Sequence, residues 1–178
     1  MDRAISAVVV MGVAGSGKTS VGKALAERIG GQYVEGDAFH PAANVEKMTR
    51  GIPLTDDDRS GWLDSLAAEL VRLSARGERP VLACSALKLR YRDRLRKAVP
   101  SLGFVFLDVT RDEALARMAS RAGHFMPTSL VDSQFAALER PAGEPATLPL
   151  AAALPLDAIV DQAAEWCGSL SDAGRAFL

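Results

Sequence analysis

Residues 8–20 read VVVMGVAGSGKTS. Val8 to Val10 have the β-branched character of a buried strand. After Thr19 the chain reads VGKALAERIG, where Val21, Leu25 and Ile29 recur at helical spacing. Three glycines therefore lie between a strand and a helix, where the backbone turns sharply. Gly12-x-x-x-x-Gly17-Lys18-Thr19 is the P-loop pattern in the context that pattern requires. Glycines let successive N–H groups converge on one anion, and the helix starting at Lys18 adds its positive end. The loop residues Gly12, Ala14, Gly15, Ser16, Gly17, Lys18, Thr19 and Ser20 are thus candidates for holding a nucleoside triphosphate. In this arrangement Lys18 reaches the β- and γ-phosphates, and the Thr19 hydroxyl holds Mg²⁺.

Outward from this loop, strand and helix patterns alternate. Strands are expected at 7–11, 32–35, 80–84, 104–107 and, less regularly, within LPLAAAL (148–154). Pro149 places the last of these at a sheet edge, where a missing N–H is tolerated. Helices are expected at 18–29, 41–50, about 58–76, about 88–98, from about 112, after a Thr128 cap, and at 156–170. Trp62, Leu63, Leu66, Leu70 and Leu73 form the apolar stripe of the third helix. Alternation of this kind predicts an α/β fold, a parallel sheet with helices on both faces.

The chain of 178 residues suits one such domain, 1–178. Its formal net charge of −1 gives no global field toward nucleic acid or an anionic membrane. The basic run KLRYRDRLRK (88–97) carries only Tyr91 as a stacking aromatic, which argues against single-stranded RNA binding. No stretch has the length of an apolar membrane span, and the N-terminus lacks a signal-peptide pattern. Cys84 and Cys167 stand in no metal-ligand spacing. A reduced, cytoplasmic protein is expected.

A P-loop alone does not name a reaction. Asp58-Arg-Ser-Gly61 matches the short switch pattern of GTPases, but no N-K-x-D motif accompanies it. FVFLD, ending at Asp108, is a candidate Walker B strand, although a strand-end aspartate opening a turn explains it as well. A small-molecule phosphotransferase needs an acceptor pocket, a proton acceptor and cations over the triphosphate. Asp37 comes just after the second strand and so faces the crevice of an open parallel sheet. There it would accept the acceptor's proton or hold Mg²⁺ through water; capping the next helix is the plain alternative. Ser85, at the end of the third strand, is a candidate for touching the acceptor or holding Mg²⁺ through water. Arg117 and Arg121, four apart on one helix, would offset charge on the transferred phosphoryl group.

Several motifs in order make the acceptor more specific. Gly36-Asp37-Ala-Phe-His40-Pro41, Asn44-Val-Glu46-Lys47-Met48, Gly51-Ile-Pro53-Leu-Thr-Asp56-Asp57-Asp58-Arg59 and Trp62-Leu63 precede Cys84-Ser85-Ala86-Leu87-Lys88, Tyr91-Arg92-Asp93, Gly123-His124-Phe125 and Gln134-Phe135. The chain from the P-loop to about Glu139 resembles the thermoresistant-type gluconate kinases. That resemblance implies ATP-dependent phosphorylation of D-gluconate to 6-phospho-D-gluconate, with ATP and Mg²⁺, and commonly a homodimer. It implies a P-loop fold of the nucleoside-monophosphate-kinase type, with five parallel strands in order 2-3-1-4-5. A substrate-binding helical region is then expected at about 37–76 and a lid at about 117–128. Catalysis would rest on Lys18, Asp37 and Arg121, nucleotide binding on the P-loop with Arg117 and Arg121. The acceptor would meet Asp37, His40, Asn44, Lys47, Ser85, Lys88, Arg92, His124 and Gln134. A kinase for a related sugar acid or shikimate, or an ATP-binding regulatory protein without turnover, are the alternatives.

Overall fold

The computed structural model describes residues 4–121 and 127–172. Five parallel strands form one sheet in the order β2-β3-β1-β4-β5, as the resemblance implies. The strands are β1 (Ala7–Met11), β2 (Gln32–Glu35), β3 (Pro80–Ala83), β4 (Leu102–Asp108) and β5 (Thr147–Ala151). The helices are α1 (Lys18–Ile29), α2 (Ala42–Thr49), α3 (Asp56–Ala75), α4 (Leu89–Ala98), α5 (Arg111–Ala119), α6 (Thr128–Ala137) and α7 (Leu156–Asp172). A short 3₁₀ turn, Gly36–Phe39, carries the chain from β2 toward α2.

Successive side chains of β1 point to opposite faces, and both faces are buried. Val8 and Val10 pack with Val21 and Leu25 of α1 and with Ile159 and Ala163 of α7. Ala7, Val9 and Met11 pack with Leu63, Leu66 and Leu70 of α3 and with Leu95 of α4. A strand covered on both sides reads as a continuous apolar run, which is why VVVM shows no alternation. Pro149 does lie on an edge strand, opposite Phe106 of β4.

Boundaries differ where caps decide them. α3 begins at Asp56, two residues before the position expected from its apolar stripe. Thr55 is its N-cap and forms a reciprocal capping box with Asp58, and Asp56, Asp57 and Asp58 all sit in the first turn. Three carboxylates at the positive helix end favour that start. Thr128 does not cap α6: Pro127 takes that position and Thr128 is the first helical residue. β4 extends two residues earlier and one later than its apolar core suggests.

Candidate active site

In this strand order, the chain leaving β1 as the P-loop lies beside the chain leaving β3 at Ser85, with β2 and Asp37 next. Crevices at the carboxyl ends of open parallel sheets are where such folds bind ligands. Here that crevice is a cleft of about 780 Å³, within the usual size range of small-molecule sites.

The P-loop forms its floor. Gly15 has φ +80°, and a β-carbon there would lie 2.6 Å from the carbonyl oxygen of Ala114. Only glycine allows the loop to rest this closely on α5. Lys18 Nζ donates to the Val13 carbonyl at 2.9 Å, across its own loop. Burial pulls its ammonium below the ordinary value, while Asp37 and Glu35 act in the opposite direction. Thr19 Oγ1 donates to the Glu35 carboxylate at 2.9 Å, and the Tyr33 hydroxyl donates to the same oxygen. Burial, then the hydrogen bond to Glu35, pushes the Tyr33 phenol well above its ordinary value, so it stays a donor.

The wall opposite is built from the turn after β2 and from α3. Asp37 lines the cleft with its side chain 75% exposed, 3.9 Å from His40 Nε2. It caps no helix: the 3₁₀ turn has no side-chain cap, and Pro41 holds the N-cap position of α2. His40 stacks on Trp62 with centroids 4.2 Å apart, and the Trp62 indole N–H donates to the Gly36 carbonyl at 2.8 Å. Asn44 Nδ2 lies 3.3 Å from His40 Nδ1 and donates to the Asp58 carbonyl at 2.8 Å. With an amide donor facing Nδ1, the neutral ring carries its proton on Nε2, toward Asp37. Burial holds His40 below its ordinary value.

Eleven of the expected residues therefore meet in one cleft: Ala14, Gly15, Gly17, Lys18, Thr19, Ser20, Asp37, His40, Ser85, Arg121 and Gln134. Gln134 arrives from α6, its Oε1 accepting the Ala14 N–H at 2.7 Å. Gly12 and Ser16 lie buried beneath the loop surface.

Other expected residues are engaged within the protein. Asn44 is 3% exposed and orients His40 rather than facing an acceptor. Lys47 bonds both oxygens of Asp58, at 2.8 and 2.9 Å. Lys88 donates to Asp56 at 3.1 Å. Arg92 is 0% exposed and bonds within the protein on every side, so it does not reach a ligand. Arg117 donates to the carbonyls of Ser16 and Ala152, tying the back of the P-loop to the turn after β5. Asp108 pairs with Arg140 and is not among the residues lining the cleft. His124 lies outside the described residues.

Glu35, Arg59 and Trp62 are among the cleft residues that lie outside the expected set. Arg59 carries the clearest sequence signal. It stands three and four residues before Trp62 and Leu63, on the inner face of α3, where the core gives way to the cleft. Its Nη1 lies 3.4 Å from the Tyr91 hydroxyl, and its guanidinium stands 5.7 Å from that ring's centroid.

A P-loop, a carboxylate, a stacked histidine and two arginines around one cleft describe a phosphotransferase but not its acceptor. A family model described as an AAA domain matches residues 8–142. The thermosensitive gluconokinase of Escherichia coli (strain K12) is 48% identical over 133 residues, covering 75% of this chain and 71% of that one. The gluconokinase of Gluconobacter oxydans (strain 621H) is 50% identical over 135 residues, 75% of each chain. This chain belongs to the gluconokinase family. A crystal structure of a gluconokinase from Sinorhizobium meliloti 1021 superposes with a TM-score of 0.87 at 46% identity, covering 96% of both chains. The matched stretch, 8–142, contains each of the cleft residues named above.

Proposed function

We propose that this chain transfers the γ-phosphoryl group of ATP to the 6-hydroxyl of D-gluconate, giving 6-phospho-D-gluconate and ADP. The observation that carries the reading is the meeting of the P-loop, Asp37 and Arg59 in one cleft of a gluconokinase-family chain. P-loop amides and Lys18 hold the triphosphate. The acceptor oxygen bonds to the γ-phosphorus as the bond to the ADP oxygen breaks, in line. Asp37 orients the acceptor hydroxyl and takes its proton. Arg121, reaching the cleft from just past α5, offsets charge on the transferring group.

Gluconate needs a cation for its carboxylate and mixed partners for its hydroxyls. Arg59 can serve as that cation, because Lys47, Lys88 and Arg92 are engaged with Asp58, Asp56 and Glu144. His40, Ser85 and Gln134 supply donors and acceptors along the chain of hydroxyls.

Magnesium fits the donor set. Among the described residues no cluster of three metal-ligating side chains exists. Mg²⁺ in kinases keeps several waters and takes few protein ligands besides phosphate. The Thr19 hydroxyl, held by Glu35 at 2.9 Å, would be the direct ligand. Glu35, Asp37 and Ser85 would hold its waters. When bound, the ion neutralises charge on the triphosphate. In keeping with the family resemblance, the enzyme would act as a cytoplasmic homodimer; no helix among the described residues is long and apolar enough to cross a membrane.

The test is a coupled ADP-release assay over gluconate, related sugar acids, shikimate and nucleoside monophosphates. Turnover on gluconate is expected, with Asp37→Asn reducing it by roughly 10²- to 10⁴-fold and leaving ATP binding in place. Turnover on another acceptor alone, or ATP binding without turnover, overturns the reading.

A further inference from the structure

Ala86 comes after Ser85 in the turn between β3 and α4 and has φ +44°. A residue with a β-carbon is disfavoured in this left-handed region, and Ala86 is fully buried. Something must hold it there. Arg92 Nη1 donates to the Ala86 carbonyl at 2.7 Å. The same guanidinium donates through Nη2 to the Glu139 carbonyl at 2.9 Å, and through Nε to Glu144 Oε2 at 2.9 Å. Glu144 is itself braced by Arg96 Nη2 at 2.8 Å. The neighbouring chain closes the ring: Glu139 N–H donates to the Leu87 carbonyl at 2.8 Å, and its carboxylate accepts the Leu89 N–H at 2.6 Å. On the other side of the turn, the Ser85 carbonyl accepts the Gly12 N–H at 3.3 Å, directly under the P-loop.

A buried ion pair is a poor device for stability alone, since apolar side chains of similar volume often serve better. A guanidinium supplies something they cannot: a planar fork that grips several acceptors at once. Here the acceptors are a strained carbonyl beside the cleft, the chain leaving α6, and a partly buried carboxylate. We propose that Arg92 and Glu144 form a positioning pair that holds the Ser85–Ala86 turn in the shape phosphoryl transfer requires. The inference rests on the kinase reading of the cleft for its catalytic consequence, but not for its structural one.

The experiment compares the full chain with Glu144→Gln, Ala86→Gly and the double variant. It reads hydrogen exchange of the 84–88 segment, ATP affinity and kcat on gluconate. In Glu144→Gln, exchange at 84–88 should rise about tenfold while that of β1 and α1 holds. Turnover should fall about tenfold with ATP affinity unchanged, the pattern of an effect confined to the transferring step. Adding Ala86→Gly should recover turnover, because glycine takes the left-handed conformation without restraint. Wild-type exchange and turnover in Glu144→Gln would overturn the proposal. So would a uniform rise in exchange with parallel loss of ATP affinity, or no recovery in the double variant. Should Glu144→Gln fail to fold, Arg92→Lys, which keeps the charge but not the fork, is expected to give the same pattern. If the wild type leaves gluconate untouched, the functional reading falls, and exchange at 84–88 still decides the clamp.

Discussion

Replacing Arg59 by alanine tests how the acceptor is recognised. Arg59 lines the cleft, and its described polar partner within the protein is the Tyr91 hydroxyl at 3.4 Å. That hydroxyl already donates to Asp56, so Arg59→Ala leaves no buried group stranded. The loss to the fold is then mainly one cation–π contact, about 0.5–1 kcal/mol. The loss to the acceptor is larger, because a hydrogen bond between charged partners contributes about 1.5–3 kcal/mol. At about 1.4 kcal/mol per decade, that is roughly a 10- to 150-fold rise in the KM for gluconate. The coupled ADP-release assay reads it, with the KM for ATP as the internal control. An uncharged polyol tested as a poor acceptor should lose little, since it has no carboxylate for Arg59 to hold. A gluconate KM within about twofold of wild type, or an equal rise in the KM for ATP, would refute Arg59 as the carboxylate's partner.

The geometry makes two further outcomes testable. A β-carbon on Gly36 would lie 2.3 Å from the Ala83 carbonyl oxygen. Gly36→Ala should destabilise the fold by about 1–3 kcal/mol and, by displacing Asp37, lower turnover more than ATP affinity; an unchanged melting temperature and kcat would contradict the tight fit. Hydrogen bonds from Tyr91 and Lys88 hold Asp56 down to about 2, and those from Lys47 and the Thr55 N–H do the same for Asp58. Because both folded values lie below the ordinary 3.8, their contribution is full above that pH and lost as pH falls toward 2. The melting temperature should drop across that window, and Asp58→Asn should flatten the drop.

What could be read from the sequence was what local chemistry dictates. The P-loop, the apolar stripe of α3 and the proline on the edge strand each carry their reason in neighbouring residues. Asp37 was legible because a residue just past a parallel strand faces the crevice. Glu35 was not: it ends a short strand like any polar residue, and only the packing of α1 on β2 brings it to Thr19. Arg92 is hidden for the same reason. In the run KLRYRDRLRK nothing marks which cation is buried, since its partner Glu144 stands 52 residues away. In hindsight Arg92 shares the buried face of α4 with Tyr91 and Leu95, and that spacing was available. Lys47 and Lys88 look like ligands for an acidic acceptor until Asp58 and Asp56 are seen to hold them.

The most direct measurement is NMR of the product formed from uniformly ¹³C-labelled gluconate and ATP. Phosphorus coupling to the terminal hydroxymethyl carbon is predicted, with ADP released in equal amount. Coupling to any other carbon, or inorganic phosphate in place of a phosphate ester, would contradict phosphoryl transfer to the 6-hydroxyl.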